Sequence, residues 1–383
     1  MYNELTESPF PDFAPVEDEV SDAVETDDTN FPPEADESVW EEAINQASDE
    51  EMSEVGAIVE EAISEITSLP TQEGTSVADE VWEPQPTQPT IPSINEHWLS
   101  DLICSGVYAC YGAKVKGLSH YKNETNCQDD FLIDIFSANG NEYVIIAVAD
   151  GHGSHKHYLS EFGAHIAVES THKVLKQLIA KSLDLNDLWV SVKECFPSML
   201  YSEWSDAVLE DYSRRVPSEQ GPSDVSPKEK LVMYGTTAMF CVLSQNTFFT
   251  GKIDGNIVAV STGEIEEQTV DTEDLFGSEA FSLCKRNDAL TRWSFELYRD
   301  LDFLTISTDG FRNAFGEDDD DTLFHNAIDS LYAYSSRFGA ELALQSLPSI
   351  LSKCSNEASA DDVTVCCVVN TSANSYEAEN QSQ

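Results

Sequence analysis

The sequence predicts an α+β fold that follows a long acidic N-terminal region. Short apolar segments rich in β-branched residues occur in runs, whereas segments with apolar residues at helical spacing fall into two blocks. Runs of strands and separate blocks of helices are typical of α+β layering. A change in composition near residue 97 separates this globular part from the region before it.

Residues 1–97 are predicted to be largely disordered. They are dominated by Pro, Glu, Asp, Ser and Thr, so the chain entropy lost on folding exceeds what their few apolar groups regain by burial. Residues 38–67 are an exception, because apolar residues recur there at helical spacing after a Ser38–Glu41 capping box. This pattern predicts an acidic amphipathic helix that either docks on a partner or its own domain, or contacts nothing. Residues 84–92 form an extended, Pro-rich linker.

The formal net charge of −51 over 383 residues is unevenly spread. Residues 1–100 carry about 27 acidic residues and no Lys or Arg, which leaves about −24 for the remainder. Such a field opposes binding to nucleic acid and to anionic membranes. It suits a soluble protein that holds cations, although adaptation to high salt would also explain the acidity.

Targeting signals and disulfides are not expected. The first residues, Met1-Tyr2-Asn3-Glu4, have neither the basic nor the apolar region of a signal peptide, and no apolar run reaches the length of a membrane span. The nine cysteines form no C-x-x-C pair, which predicts reduced thiols and neither a disulfide framework nor a zinc site. We therefore expect a cytoplasmic monomer.

The elements beyond residue 97 can be predicted in order from their periodicity. The predicted strands share short apolar runs bounded by turn formers: residues 107–111, 131–136, 143–149, 237–243, 247–253, 255–261, 303–307 and 363–369. The predicted helices share a 3.6-residue apolar period: residues 160–181, 185–210, 320–334 and 340–354. Asn139-Gly140-Asn141 has hairpin-turn chemistry, residues 214–230 read as a polar loop, and residues 371–383 as a disordered tail.

Several carboxylates fall where predicted strands begin or end. Asp129 precedes one strand, Asp150 and Asp309 end two others, and Asp361-Asp362 precede the last. A single Asp in such a place is commonly a turn former. Several Asp carboxylates at one edge of a sheet would repel one another unless cations neutralise their charges. A pair of Mg²⁺ or Mn²⁺ ions, held by carboxylates, a backbone carbonyl and water, satisfies that requirement.

These acids belong to six short motifs that together closely resemble the metal-dependent protein phosphatase family of the protein phosphatase 2C type, in its bacterial branch. The motifs run in family order over residues 105–370: Gly117-Leu118-Ser119-His120 with Cys127-Gln128-Asp129, Asp150-Gly151-His152-Gly153, Tyr234-Gly235-Thr236-Thr237, Asp254-Gly255, Ser307-Thr308-Asp309-Gly310 and Asp361-Asp362-Val363-Thr364. One tetrapeptide alone is weak evidence, whereas six in order are strong. The resemblance implies an α-β-β-α sandwich of two antiparallel sheets flanked by helices, with a binuclear metal centre at one end.

The resemblance further implies a serine/threonine protein phosphatase that acts on phosphoproteins. The reaction would be hydrolysis of phosphoserine and phosphothreonine by a water that bridges two Mn²⁺ or Mg²⁺ ions, with a third ion as an option. The implied metal ligands are Asp129, Asp150, the Gly151 carbonyl, Asp309 and Asp361. His152 would act beside Asp150 in catalysis, either as general acid for the leaving alkoxide or as the partner of a metal-bound water. Supporting positions behind the ligands would be Gln128, Thr236 and Asp362.

Three positions depart from the residues common in the family. Gln128 stands where many members have Glu, which keeps an oxygen ligand but removes a charge. Ile253 replaces a Gly, which predicts an altered loop. Glu124 occupies the place of a phosphate-binding Arg. The candidates for the cation that replaces this Arg are His120, Lys116 and Lys122.

A competing interpretation is a catalytically weak pseudophosphatase that serves, with its acidic tail, as a binding module for a protein partner. The acids kept at the metal positions favour the enzyme over this alternative. A third interpretation, an acidic cation buffer, accounts for the charge but not for the ordered motifs.

Overall fold

The computed structural model describes residues 96–216, 225–270, 280–316 and 321–372. The predicted helix at 38–67, the linker at 84–92 and the chain beyond 372 lie outside these residues. Within the described ranges, no helix combines the length and the apolar character that crossing a bilayer requires.

Twelve strands of the described residues form two sheets in which every pairing is antiparallel. Their bounds are β1 His97–Leu99, β2 Ile103–Ser105, β3 Tyr108–Val115, β4 Asp130–Ala138, β5 Asn141–Ala149, β6 Met239–Ser244, β7 Thr247–Lys252, β8 Asn256–Ser261, β9 Glu264–Glu267, β10 Ser294–Arg299, β11 Phe303–Ser307 and β12 Val363–Asn370. The first sheet has the order β1-β3-β12-β11-β8-β9, with β2 also paired to β3. The second sheet has the order β10-β7-β6-β5-β4.

The four long helices of the same residues fall into the two blocks that the sequence predicts, and four short helices lie between or beside them. Their bounds are α1 Leu118–Lys122, α2 Ser160–Lys181, α3 Leu185–Arg215, α4 Pro227–Met233, α5 Arg286–Thr291, α6 Asp309–Asn313, α7 Thr322–Phe338 and α8 Ala340–Cys354. A 3₁₀ turn, His155–His157, precedes α2, and a π-helical turn, Ser355–Ser359, follows α8.

Strand β5 shows how the layers are built. Its side chains alternate between two buried surfaces because successive residues of a strand point to opposite faces. Ile145 and Ala147 pack in the apolar cluster shared with α2 and α3, whereas Val144 and Ile146 pack between the sheets. On the outer face of the first sheet, α7 and α8 form a third apolar cluster. The predicted α-β-β-α sandwich is therefore confirmed.

Two parts of the sequence-based prediction were wrong in detail. The expected loop at 214–230 is helical at both ends, because α3 continues to Arg215 and α4 begins at Pro227 behind a capping box of Ser226 and Glu229. The hairpin turn consists of Asn139 and Gly140 alone. Both have positive φ, 53° and 78°, whereas Asn141 already pairs with Ala138 in the ladder.

The nine cysteines are all free thiols, and all but Cys104 and Cys195 are buried. Cys110, Cys241 and Cys366 lie in the apolar layer between the sheets. Burial raises the pKa of each of these three thiols. They therefore remain neutral and pack as small apolar side chains.

Candidate metal and phosphate site

A cavity of about 750 Å³ opens at one end of the sandwich. Four carboxylates line it, and they come from different strand ends: Asp150, Asp254, Asp309 and Asp361. The other residues that line it are Gln128, Gly151, His152, Gly153, Ser154, Lys156, His157, Thr237, Gly255, Ala280, Ser282, Cys284, Lys285 and Asn313. The structure thus brings three of the predicted site acids, Asp150, Asp309 and Asp361, to one place.

The backbone of Asp150 is fixed by the Gly235-Thr236-Thr237 turn. The Asp150 carbonyl accepts hydrogen bonds from the Thr237 N–H at 2.8 Å and the Thr236 hydroxyl at 2.7 Å. Its own N–H donates to Thr237 Oγ1 at 3.0 Å. Because the backbone N–H and carbonyl of Asp150 are both hydrogen-bonded to this turn, the Asp150 carboxylate does not have to cap the turn. It can face the cavity instead.

Two glycines allow other motifs to close on Asp361 and Asp362. A Cβ atom on Gly117 would lie 2.4 Å from the Asp361 carbonyl carbon, and one on Gly310 would lie 2.0 Å from the backbone carbonyl oxygen of Asp362. Neither approach is possible for a residue with a side chain. Gly310 follows Asp309 directly, so this close packing sets Asp309 beside Asp361.

Asp362 points into the protein and ties three loops together. Its side chain is only 3% exposed, and its two oxygens accept from the N–H groups of Gly117 and Gln128, each at 2.6 Å. His120 Nδ1 lies 2.8 Å from Asp362 Oδ1. This contact raises the pKa of His120. Asp362 therefore positions the loops around the cavity and does not line it.

The predicted role of Asp129 as a metal ligand disagrees with its position. Asp129 is buried and does not line the cavity, and its Oδ2 accepts hydrogen bonds from the hydroxyls of Thr308 and Thr364 at 2.8 and 2.7 Å. Burial raises its pKa, and the Asp362 charge adds to this effect. Its neighbour Gln128 lines the cavity instead, and Gln128 Oε1 is a buried atom without a hydrogen-bond partner. Adjacent residues in extended chain point to opposite sides, so only one of the two can face the cavity.

The cavity acids oppose one another's ionisation. Burial raises the pKa of Asp150, and the charges of Asp309 and Asp129 raise it further. Burial also raises the pKa of Asp361 to about 6, with the Asp309 charge as the next cause. Bringing like charges together in a partly buried site is costly unless a cation is bound.

The residues present fit a pair of hard divalent cations. Carboxylate oxygens and the unpartnered Gln128 Oε1 are the donor type that Mg²⁺ and Mn²⁺ prefer. Among the described residues, no three or more His, Cys, Asp and Glu side chains are already grouped as a complete metal site. Backbone oxygens and water would therefore complete the coordination, which is usual for Mg²⁺.

His152 lies on the wall of the cavity beside a second histidine. Its backbone N–H donates to the Gly235 carbonyl at 3.1 Å, and its ring centre lies 4.9 Å from that of His157. Burial lowers the pKa of His152 to about 3, and the positive charges of His157, Lys285 and Lys156 contribute in the same direction. The His152 imidazole is therefore neutral at neutral pH in this structure.

The three cations predicted to bind phosphate lie away from the cavity. His120 contacts Asp362, the Lys116 ammonium is buried 4.5 Å from the centre of the Tyr121 ring, and Lys122 is exposed at the end of α1. The contact with Asp362 engages His120, and the local contact with Tyr121 engages Lys116, so neither side chain faces the cavity.

Sequence reasoning missed the two lysines that do line the cavity. The position of Lys156 could have been predicted, since it follows the Asp150-Gly151-His152-Gly153 motif by three residues. The position of Lys285 could not, because it belongs to a segment far along the chain from the motif. Asp254 was found within its motif but was not assigned to the site, although its carboxylate also lines the cavity.

Comparison with known proteins gives one family. A family model described as Protein phosphatase 2C matches residues 116–352. A search of curated proteins found no match.

Solved structures of bacterial phosphatases are similar in fold. One is a serine/threonine phosphatase of S. agalactiae, with 16% identity and a TM-score of 0.42 over 72% of this chain and 99% of that one. A second is PppA, a regulatory component of T6SS in Pseudomonas aeruginosa, with 16% identity and a TM-score of 0.43 over 69% and 98%. A third is the catalytic domain of the serine threonine protein phosphatase PstP in complex with two manganese ions, with 15% identity and a TM-score of 0.41 over 69% and 98%.

Proposed function

Because the chain belongs to the protein phosphatase 2C family, we propose that it is a metal-dependent protein phosphatase that hydrolyses phosphoserine and phosphothreonine. The observation that carries this proposal is the meeting of Asp150, Asp309 and Asp361 in one cavity. Mutual repulsion of these acids and the oxygen-rich lining favour divalent cations as the ligands of this cavity.

The proposed ligands are the residues that face the cavity. Asp150, Asp309 and Asp361 supply carboxylates, and the Gly151 carbonyl and Gln128 Oε1 supply neutral oxygens. When bound, Mn²⁺ or Mg²⁺ supplies positive charge that lowers the pKa of water and neutralises phosphate oxygens. Because Gln128 is neutral, its side of the cavity carries one charge fewer than a Glu at this position would provide.

The residues behind the ligands hold them in place. Thr236 and Thr237 fix the backbone of Asp150, and Asp362 fixes the loops that carry Gln128 and Gly117. Geometry held by hydrogen bonds outside the ligand set is a general requirement of metal sites.

We assign proton transfer to the leaving group to His152. A serine or threonine alkoxide is strongly basic and must take a proton as the P–O bond breaks. The backbone of His152 is fixed on the cavity wall by its hydrogen bond to the Gly235 carbonyl, and its ring contacts that of His157. Its imidazole is neutral in this structure, so it takes up a proton from a solvent hydronium ion and donates that proton to the alkoxide, which leaves the ring neutral again.

One assay tests the proposal. Phosphate release from a phosphothreonine peptide is measured with Mn²⁺, with Mg²⁺ and with excess EDTA. We expect release with at least one of the two ions and none in EDTA. Full turnover in EDTA would contradict the metal-dependent mechanism.

The same assay separates the enzyme from the binding-module alternative. Gln128 and Glu124, which replace residues common in the family, favour weak catalysis. Binding of the phosphopeptide without phosphate release, in the presence of Mn²⁺ or Mg²⁺, would support a pseudophosphatase. We further propose that residues 98–370 form the catalytic domain and that residues 1–97 are a separate acidic tail that binds a protein partner.

A further inference from the structure

The cavity is lined by cationic as well as acidic side chains. The acids are Asp150, Asp254, Asp309 and Asp361, and the cations are Lys156 and Lys285. Among the described residues, these two are the only Lys or Arg side chains that line this cavity. Their presence is notable in a chain with 71 acidic and 20 basic residues.

A phosphate monoester needs local positive charge to enter this cavity. The ester is a dianion near neutral pH, and both the net charge of −51 and the cavity acids repel it. At physiological ionic strength charges act over a Debye length of about 8 Å, so only cations inside the cavity can offset the repulsion from its acids.

The segment that carries Lys285 is fixed to the same turn that fixes Asp150. Leu283 N–H donates to the Thr236 carbonyl at 2.9 Å, and the Ser282 hydroxyl donates to the same oxygen at 3.2 Å. Phe281 N–H donates to Asp254 Oδ2 at 3.0 Å. Lys285 therefore emerges from a segment whose position is tied to the acids of the site.

The ammonium group of Lys285 is available for a ligand. It donates a long hydrogen bond of 3.4 Å to the Ala280 carbonyl and lies 3.8 Å from Asp288 Oδ2. Its side chain is 45% exposed. An ammonium group has three donors, so this environment leaves capacity for phosphate oxygens.

Lys156 reaches the cavity from the 3₁₀ turn after the Asp150-Gly151-His152-Gly153 motif. The turn is closed by a hydrogen bond of 2.8 Å from the His157 N–H to the Ser154 carbonyl. Lys156 therefore lines the same cavity as His152 and Lys285.

We propose that Lys285, assisted by Lys156, binds the phosphoryl group of the substrate. Lys285 would thereby take over the role of the phosphate-binding arginine whose position is occupied by Glu124 in this chain. This inference rests on the proposed phosphatase function. The ligand class is a phosphate monoester dianion or its product, inorganic phosphate. Ammonium groups bind such oxygens as point charges through charge-assisted hydrogen bonds.

The test measures binding and catalysis separately. Inorganic phosphate binding to the Mn²⁺-loaded full chain is measured by equilibrium dialysis, and KM and kcat are measured on a phosphothreonine peptide. Lys285→Ala should weaken phosphate binding and raise KM, each about tenfold, with a smaller change in kcat, since one charge-assisted hydrogen bond has this magnitude. Lys156→Ala should have a smaller effect of the same sign, and Lys285→Arg should keep most of the affinity.

Two controls make the result specific. Lys228→Ala removes an exposed lysine on α4, outside the cavity lining, and should leave phosphate binding unchanged. Lys122→Ala tests the candidate that the sequence suggested. Thermal unfolding of each variant verifies that the fold is kept.

The outcomes separate this inference from the proposed function. If Lys285→Ala binds phosphate as the parent does, or if Lys122→Ala alone loses binding, the inference is wrong. If the parent releases no phosphate from the peptide but binds inorganic phosphate through Lys285, the phosphatase proposal fails and the binding site stands.

Discussion

Replacing each of two adjacent aspartates by asparagine should change the stability of the metal-free protein in opposite directions. Asp362 is buried and accepts from the N–H groups of Gly117 and Gln128 at 2.6 Å, with His120 at 2.8 Å. Asp361 faces the cavity and is repelled by Asp309. The Asp362 carboxylate therefore stabilises the fold, whereas the ionised Asp361 carboxylate lowers the stability of the metal-free protein.

The Asp362→Asn variant should lose stability. An amide group would place an N–H₂ opposite one of the two N–H donors and leave His120 without a counter-charge. Removing one partner from a buried, hydrogen-bonded charge pair costs about 3–5 kcal/mol. For a domain of this size each kcal/mol lowers the Tm by about 2–4 °C, so the Tm should fall by about 6–20 °C.

The Asp361→Asn variant should gain stability in EDTA near neutral pH. The pKa of Asp361 is raised from 3.8 to about 6 in the fold. Since the folded pKa exceeds the unfolded one, the ionised side chain carries its full penalty above pH 6 and none below about pH 4. A shift of two units corresponds to at most about 3 kcal/mol, so the gain should lie between zero and this value and vanish in acid.

Thermal unfolding in EDTA, followed by circular dichroism, measures both changes, and a second series with Mn²⁺ measures metal binding. Mn²⁺ should raise the Tm of the parent, because a ligand that binds only the folded state stabilises it. That increase should be smaller for Asp361→Asn. If both variants lower the Tm in EDTA by similar amounts, the opposite orientations that we assign to Asp361 and Asp362 are wrong.

Three further predictions concern catalysis. Asp150→Asn and Asp309→Asn should each lower kcat by orders of magnitude with an unchanged circular dichroism spectrum, and near-parental turnover in the presence of Mn²⁺ would place the ligands elsewhere. His152→Ala should slow phosphothreonine peptides by about 10²–10⁴-fold and aryl phosphates with good leaving groups much less, because only a basic leaving group needs the acid. Equal losses on both substrates would assign His152 to the support of a bound water. Deletion of residues 1–97 should preserve kcat on a small aryl phosphate and change KM on a phosphoprotein, whereas loss of activity on the small substrate would show that the tail belongs to the catalytic fold.

Periodicity predicts the long helices well and misses some of the short strands. The helix predicted at 160–181 matches α2, Ser160–Lys181, because one apolar stripe faces the sheet along its whole length. Strand β10, Ser294–Arg299, was missed. Only one of its six residues is buried, so its composition carries little signal, and it is held by pairing with β7.

The site could be predicted only as far as its acids lie at strand ends. Asp150, Asp309 and Asp361 were identified because the ends of antiparallel strands meet at one edge of a sandwich. The inward direction of Asp129 depends on the pleat of the chain at Gln128 and Asp129, which a motif does not encode. Lys285 reaches the cavity by packing between segments that are far apart in the sequence, so no local sequence pattern predicts its position.

The hydrogen bonds that Asp129 accepts have a consequence for the kinetics of metal loading. Asp129 leads into β4 of the second sheet, and the two hydroxyls it accepts come from Thr308 and Thr364, at β11 and β12 of the first. These hydrogen bonds join the two sheets next to Gln128, which lines the cavity, so we expect little ordering of the chain when an ion binds. Loading should then be limited by the release of water from the ion. Mg²⁺, which gives up its water reluctantly, should enter this site more slowly than Mn²⁺.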